Sequence, residues 1–113
     1  MKRIATIMLV FFLAICQAGA CEKVVSSWYG SAHAGNKTAS GEIFNPSKMT
    51  AAHRTLPFGT KLKVTYNGKS AIVKINDRGP FHKGRSLDVS EAAASKLGFK
   101  NSGTAKVCIE RIN

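Results

Sequence analysis

Two acidic residues stand where carboxylates are costly to place. In the stretch KINDRGPFHKGRSLDVS, residues 74–90, Asp77 ends one apolar run and Asp88 lies inside the next. A buried carboxylate is unfavourable unless it is paired, and a second one nearby adds like-charge repulsion. If the fold brings the two together, repulsion should raise the pKa of one and leave the other ionised. We predict that Asp88, in the more apolar run, is the protonated acid and that Asp77 is its ionised partner.

Such a pair could serve as a general acid and a charged partner in one reaction. Arg78 and Arg85 act in the opposite direction, because a neighbouring guanidinium lowers the pKa of a carboxyl group. Each aspartate also has a purely structural interpretation. Asp77 could cap the Gly79-Pro80 turn, and Asp88 could accept hydrogen bonds from backbone N–H groups.

Short strands are predicted to position these acids. Residues 61–66 alternate basic and apolar side chains, and Asn67-Gly68 suits a two-residue hairpin turn to a partner strand. Apolar Ile72 on the second face of that partner predicts that the strand is covered on both sides in places. Ser90 as N-cap and Gly98 as C-cap frame one helix near residues 90–97. The predicted strands are 24–29, 49–53, 61–66, 69–76, 86–89 and 103–112, and six short strands favour a small closed barrel.

The first twenty residues are predicted to be an export signal. Lys2 and Arg3 precede an almost wholly apolar run, residues 4–15, and Ala18-Gly19-Ala20 provides small residues for cleavage. A run of about a dozen apolar residues is too short to cross a bilayer comfortably. A buried N-terminal helix is the alternative. Residues 21–113 are expected to form a single domain without a transmembrane segment.

The charge of the chain limits its partners. Without residues 1–20, 15 basic side chains face six acidic ones, a net charge of +9. A charge of this size favours polyanions, and export makes nucleic acid the least suitable of them. We expect no nucleic-acid partner and name anionic envelope polymers instead, although the lysines could simply keep the protein soluble.

Two cysteines remain after cleavage, Cys21 and Cys108. In a small exported domain, such a pair predicts a disulfide that ties the two ends of the chain together. A lipid-modified Cys21 is the alternative, since a cysteine after small residues also suits lipoprotein processing, but Ala18 stands where a lipoprotein signal usually has leucine. Two free thiols are the third possibility.

Six motifs occur in the order found in the rare lipoprotein A (RlpA) family, which this chain resembles over nearly all of residues 21–113. That family has the double-psi β-barrel fold shared with the expansins, so the resemblance implies an all-β, six-stranded double-psi β-barrel with one short helix. The motifs are SWYG at 27–30, TASGE at 38–42, TAAH at 50–53, LPFGT at 56–60, NDRGP at 76–80 and GRSLDVS at 84–90.

The resemblance implies an exported lytic transglycosylase acting on peptidoglycan. Such enzymes cut glycan strands between MurNAc and GlcNAc and leave a 1,6-anhydro end. The family's functional positions fall on Glu42, His53 and Asp77, and Asp88 matches an aspartate that expansins and a related barrel transglycosylase require. One position departs from the family pattern, because Asn45 stands where an aspartate is usual.

The chemistry implied by this resemblance needs a proton on the leaving oxygen and stabilisation of an oxocarbenium-like centre. The 6-hydroxyl of the sugar replaces water, so one carboxyl group can act first as acid and then as base. No cofactor or metal is expected, and we expect a monomer. Flat aromatic faces suit sugars, and the residues expected to bind the glycan are Tyr29, Phe81, Arg78, Arg85 and Asn45.

Two alternatives stay open at this point. The first is a non-catalytic module that binds peptidoglycan or loosens the wall in the manner of expansins, which the neutral Asn45 favours. The second is a secreted interaction protein that uses the barrel only as a scaffold.

Overall fold

The computed structural model describes residues 21–113 as one closed barrel. The predicted export signal, residues 1–20, lies outside the described residues. The strands are β1 (Glu22–Tyr29), β2 (Thr50–His53), β3 (Lys61–Tyr66), β4 (Lys69–Asp77), β5 (Leu87–Ser90) and β6 (Thr104–Arg111). The described residues also form one α-helix, α1 (Glu91–Leu97), and a single 3-10 turn at Ser31–His33. The six-stranded, mainly β architecture with one short helix is confirmed.

The barrel closes in the strand order β1-β5-β2-β4-β3-β6. The pairs β1/β5 and β2/β4 are parallel, and the other four neighbouring pairs are antiparallel. Strand β5 therefore lies between β1 and β2, and β2 lies between β5 and β4. Segments far apart in the sequence thus meet across β1, β5, β2 and β4.

Local sequence signals explain the turns and the helix. Asn67 and Gly68 both have positive φ, 51° and 83°, as a tight hairpin turn between β3 and β4 requires. The Oγ of Ser90 accepts a hydrogen bond from the Ala93 N–H and so caps α1. Gly98, with φ of 92°, ends the helix in the left-handed conformation.

Alternating side chains fill the barrel interior, as on β3, where Leu62 and Val64 are buried and Lys61 and Lys63 are exposed. One side of α1 and Phe99 complete the core. The prediction of cover on both faces of β4 is wrong at Ile72, which is 51% exposed on the outer face, although the successive residues Ile75 and Asn76 are both buried near the end of the strand. The convex outer surface of the hairpin carries no further layer in the described part of the chain.

The disulfide between Cys21 and Cys108 is confirmed. It joins the residue before β1 to the antiparallel neighbour β6, where Cys108 lies opposite Lys23. The two Cα atoms are 5.6 Å apart, within the usual range for a disulfide. Within residues 21–113, no helix is long and apolar enough to cross a membrane.

Candidate active site

The two acids lie on either side of one small residue. Ala52 on β2 pairs with Asp88 on β5 at one side and with Asp77 on β4 at the other. Two interstrand spacings place the Cα atoms of the acids about 10 Å apart. Because Ala52 has only a methyl side chain, a hollow remains between them. It forms part of a cleft of about 430 Å³, which both acids line.

A bulge in the β2/β4 pair aims Asp77 at this cleft. Ala51 pairs with Ile75, but Ala52 pairs with Asp77, so Asn76 is the extra residue. Bulges of this kind redirect side chains next to functional sites. Without it, Asn76 would lie opposite Ala52.

Asp88 has a raised pKa, and burial is the main cause. The side chain is half-buried, and Oδ1 accepts a 2.8 Å hydrogen bond from the Ser27 hydroxyl, which together with Arg85 lowers the pKa but does not outweigh burial. Repulsion from Asp77, the cause expected from the sequence, is not among the causes. The strand between the two acids keeps them apart.

Asp77 is held by backbone donors. Its Oδ1 accepts 2.9 Å hydrogen bonds from the N–H groups of Ala39 and Arg78. Donors of this kind stabilise a carboxylate and fix its orientation. The bond to Ala39 also ties β4 to the loop between β1 and β2, so Asp77 both lines the cleft and holds one of its walls.

The ring face and the hydroxyl oxygen of Tyr29 are both covered by neighbouring residues. The ring is stacked on Phe44 at 4.5 Å and meets the edge of His33 at 5.6 Å. The hydroxyl oxygen is buried and has no hydrogen-bond partner among the described residues. Burial, with the charges of Asp77 and Asp88, raises the pKa of this phenol, so it remains protonated.

The rim of the cleft carries one exposed aromatic ring. Phe81 is 80% exposed and follows Gly79-Pro80 after β4. Gly79 has φ of 123°, a conformation that favours glycine, and an added Cβ would contact the Phe81 ring at 3.5 Å. Arg54 donates to the carbonyl groups of Pro80 and Arg85 at 2.7 and 2.6 Å and so holds this loop.

The two predicted binding arginines differ in position. Arg78 lines the cleft, but its guanidinium donates to the carbonyl groups of His53 and Leu56 and stacks on Phe58 at 4.0 Å. Arg85 does not line the cleft, although its charge lowers the pKa of Asp88. Arg78 therefore braces the turn after β2.

His53 supports the same turn. Its Nδ1 accepts hydrogen bonds from the N–H groups of Thr55 and Leu56, both at 3.1 Å. Burial is the main reason why the pKa of His53 is lowered, and the charges of Arg54 and Arg78 add to it. The neutral imidazole organises the turn and is not among the residues that line the cleft.

Because the folded state favours neutral His53, the stabilisation it provides is present above the unfolded pKa of about 6.5 and is lost as the pH falls below it. We expect the melting temperature of the protein to fall between pH 7.5 and pH 5.5 by more than that of His53→Asn, whose amide oxygen can accept the same bonds. Equal falls would contradict this role. His53→Leu, which leaves the two N–H groups unpaired, should cost about 1–3 kcal/mol at pH 7.5 and less at pH 5.5.

Glu42 and Asn45 line a neighbouring hollow of about 360 Å³ rather than the main cleft. Glu42 accepts from Lys74 at 2.8 Å and from Asn76 at 2.9 Å, and these bonds lower its pKa. It is therefore ionised at neutral pH. Asn45 accepts from the Ser47 N–H at 2.9 Å.

The loop between β1 and β2 separates these two hollows and adds residues that the sequence did not single out as a site. Thr38 lines the cleft, while its hydroxyl donates to the Glu42 carbonyl at 2.9 Å. Asn76 and Asp77 face opposite hollows from neighbouring positions on β4. The further lining residues are His33, Asn36, Lys37, Phe44 and His82. No periodicity marks them, since irregular segments present them: His82 lies between β4 and β5, and the others lie between β1 and β2.

Comparison with known families identifies the chain. The profile of a protein family described as lytic transglycolase matches residues 22–109, which include all six strands up to Ile109. This chain belongs to that RlpA-like family. Residues 28–90, which contain the whole cleft, fall within the matched part.

Curated relatives match in the same region. The endolytic peptidoglycan transglycosylase RlpA of Neisseria meningitidis serogroup A is 56% identical over 89 residues, covering 77% of this chain and 37% of the relative. Its namesake from Vibrio cholerae is 52% identical over 96 residues, covering 83% and 36%. The chain thus spans little more than a third of the length of these relatives.

Solved structures share the fold. The Streptomyces papain inhibitor superposes with a TM-score of 0.69 at 22% identity, covering 84% of this chain and 96% of the inhibitor. An expansin of Clavibacter michiganensis superposes with a TM-score of 0.68 at 22% identity, covering 82% and 50%. The RlpA-like chain is therefore a double-psi β-barrel, as expected from the sequence.

Proposed function

We propose that this protein is an exported peptidoglycan lytic transglycosylase that cuts between MurNAc and GlcNAc. The observation that carries the proposal is the arrangement of Asp88 and Asp77 on either side of Ala52 in one open cleft. The names of the RlpA relatives, endolytic peptidoglycan transglycosylases, support it.

Asp88 is the acid and then the base. In its protonated form it gives its proton to the oxygen of the leaving sugar as the bond from that oxygen to C1 breaks. The resulting carboxylate then takes the proton of the 6-hydroxyl, whose oxygen forms a new bond to C1 and closes the 1,6-anhydro ring. Burial supports this role because it favours the protonated form before the reaction.

Asp77 is the negative charge that stabilises the oxocarbenium-like centre. Two backbone N–H groups hold it in a fixed orientation, so little reorganisation is needed as positive charge develops. Tyr29 packs on Phe44 in the wall of the cleft, and its hydroxyl oxygen is buried. Phe81 offers its exposed ring to a sugar face at the rim.

The other predicted residues act around this centre. Glu42 is ionised and accepts a hydrogen bond from Lys74, so it does not supply the proton. Together with Asn45, it contacts the glycan strand in the hollow beside the cleft. His53 and Arg78 hold the turn after β2. Arg85 tunes the pKa of Asp88 by its charge.

The proposal includes export of the protein in a form that carries no lipid anchor on Cys21. A disulfide is compatible with an oxidising compartment outside the cytoplasm. The Sγ of Cys21 is bonded to Cys108, so the same atom cannot carry a thioether-linked lipid in that molecule. The lipid-anchored form is therefore the alternative for the reduced protein only.

A non-catalytic, expansin-like peptidoglycan-binding module is the second candidate function. It is favoured by Asn45, which places a neutral amide where the family usually has a carboxylate, and by the ionised state of Glu42.

Incubation of the purified protein with peptidoglycan sacculi separates the two candidates. The lytic enzyme should release soluble fragments with 1,6-anhydro ends, detected by mass spectrometry. The binding module should pellet with sacculi and create no new chain ends. Peptide-stripped glycan should be tested beside intact sacculi, and failure of both binding and cleavage would overturn both candidates.

A further inference from the structure

The acidic residues of this barrel are distributed unevenly. Of the six acids in residues 21–113, Asp77 and Asp88 lie in the cleft, and Glu42 and Glu91 form ion pairs with Lys74 and Lys100. Glu22 and Glu110 are left for the rest of the surface. These two ion pairs are the only ones among residues 21–113, although that segment contains 15 basic side chains.

Four lysines that form no ion pair within the described residues lie on the outer surface of β1, β6 and β3. Lys23 and Lys106 are exposed on the paired strands β1 and β6, and Lys61 and Lys63 are exposed on β3. Lys61 lies directly opposite Lys74, which pairs with Glu42. Glu110, opposite Lys63, is the acid of this surface, and it makes no ion pair within the described residues.

We define the basic face as Lys23, Lys61, Lys63, Ile72 and Lys106. Ile72 lies opposite Lys63 and is 51% exposed, so an apolar side chain stands among the lysines. None of these five residues lines the cleft or the neighbouring hollow of Glu42 and Asn45. A convex face of this kind fits an extended surface better than a ligand that needs a groove.

The basic face and the cleft lie on different sides of the barrel. The strand residues that line the cleft come from β1, β2, β4 and β5, and β3 and β6 contribute none. In the closed order β1-β5-β2-β4-β3-β6, strands β3 and β6 complete the ring on the side away from Ala52. A surface bound at β3 and β6 would leave the cleft open.

The chain also enters the domain at this face. Cys21 is bonded to Cys108, which lies opposite Lys23 on the outer surface of β6. The disulfide therefore fixes residue 21 beside the basic face.

We propose that the basic face docks on an anionic lipid bilayer and presents the cleft away from it. Lysines near such a surface gain electrostatic attraction, and an exposed isoleucine can enter the interface between headgroups. The proposal does not depend on the proposed catalytic function, because the docking face contains no residue of the cleft.

Sedimentation with lipid vesicles tests it without any glycan. The oxidised protein should bind vesicles containing one third phosphatidylglycerol more tightly than vesicles of phosphatidylcholine alone, and high salt should weaken this binding. The double variant Lys61→Gln with Lys63→Gln should lower the partition into anionic vesicles about 30-fold, which is about fivefold for each lysine. The matched control is Lys83→Gln with Lys96→Gln, which removes the same charge from two exposed positions outside the basic face.

Equal losses from both double variants would overturn the proposal, because net charge alone would then explain the binding. Equal binding to neutral and anionic vesicles would also overturn it. Binding to soluble polyphosphate without binding to vesicles would assign the face to an anionic polymer instead. Unchanged melting temperatures of both variants ensure that loss of binding is not loss of folding.

Discussion

Replacing Asp88 by asparagine should slow the release of anhydro-ended glycan by about a thousandfold, within the range typical for loss of a general acid. The variant should remain folded, because a neutral amide relieves the desolvation that raises the pKa of Asp88. The measurement is the initial rate of fragment release from sacculi, compared with the melting temperature of the same preparation.

Two matched variants give this prediction its controls. Glu110→Gln removes an acid outside the cleft and should leave the rate unchanged. Ser27→Ala removes the hydrogen bond that lowers the pKa of Asp88, so that pKa should rise and the alkaline limb of the pH–rate profile should move to higher pH. A full rate for Asp88→Asn, or an unmoved profile for Ser27→Ala, would contradict the assignment of the acid.

Loss of the Cys21–Cys108 disulfide should have the largest effect on stability. The bond closes a loop with a sequence separation of 87 residues, and loops of that length restrict the unfolded chain strongly. We expect the Cys21→Ser, Cys108→Ser double variant to lose about 3 kcal/mol of unfolding free energy. For a domain of this size, that corresponds to a melting temperature lower by about 15 °C.

Chemical reduction of the unmodified protein supplies the control, since it should lower the melting temperature by the same amount and leave the double variant unaffected. Cleavage rates well below the lower melting temperature should be unchanged, because neither cysteine lines the cleft. A melting temperature that does not respond to reduction would contradict the prediction.

Much of the fold could be predicted from local pattern. Alternation on β3, the Asn67-Gly68 turn and the caps at Ser90 and Gly98 each fix an element through interactions within a few residues. Ile72 was misjudged for the same reason: an apolar side chain at an outer position resembles a core residue in sequence. Burial depends on whether another layer covers the strand, which no local pattern records.

The two acids could be proposed from the sequence, but the geometry between them could not. Their separation depends on β2 passing between β4 and β5 and on the bulge at Asn76. Both features arise from pairing between distant segments. The sequence predicted that repulsion from Asp77 raises the pKa of Asp88, but in the structure burial of Asp88 raises it.

Tyr29 illustrates the same limit. A sugar-stacking ring was expected, but Phe44, fifteen residues along the chain, stacks on the ring, and the hydroxyl oxygen is buried. Glu42 and Asn45 face a neighbouring hollow because the loop between β1 and β2 directs Thr38 and Phe44 to the cleft and these two residues away from it.

The central claim is that the 6-hydroxyl of the sugar, and not water, attacks C1 while Asp88 moves the proton. Cleavage of sacculi in water labelled with oxygen-18, followed by mass spectrometry of the new ends, tests this directly. We predict anhydro ends that contain no heavy oxygen with the unmodified protein, and no new ends with Asp88→Asn. Reducing ends that carry one heavy oxygen atom would reveal hydrolysis and would contradict the claim.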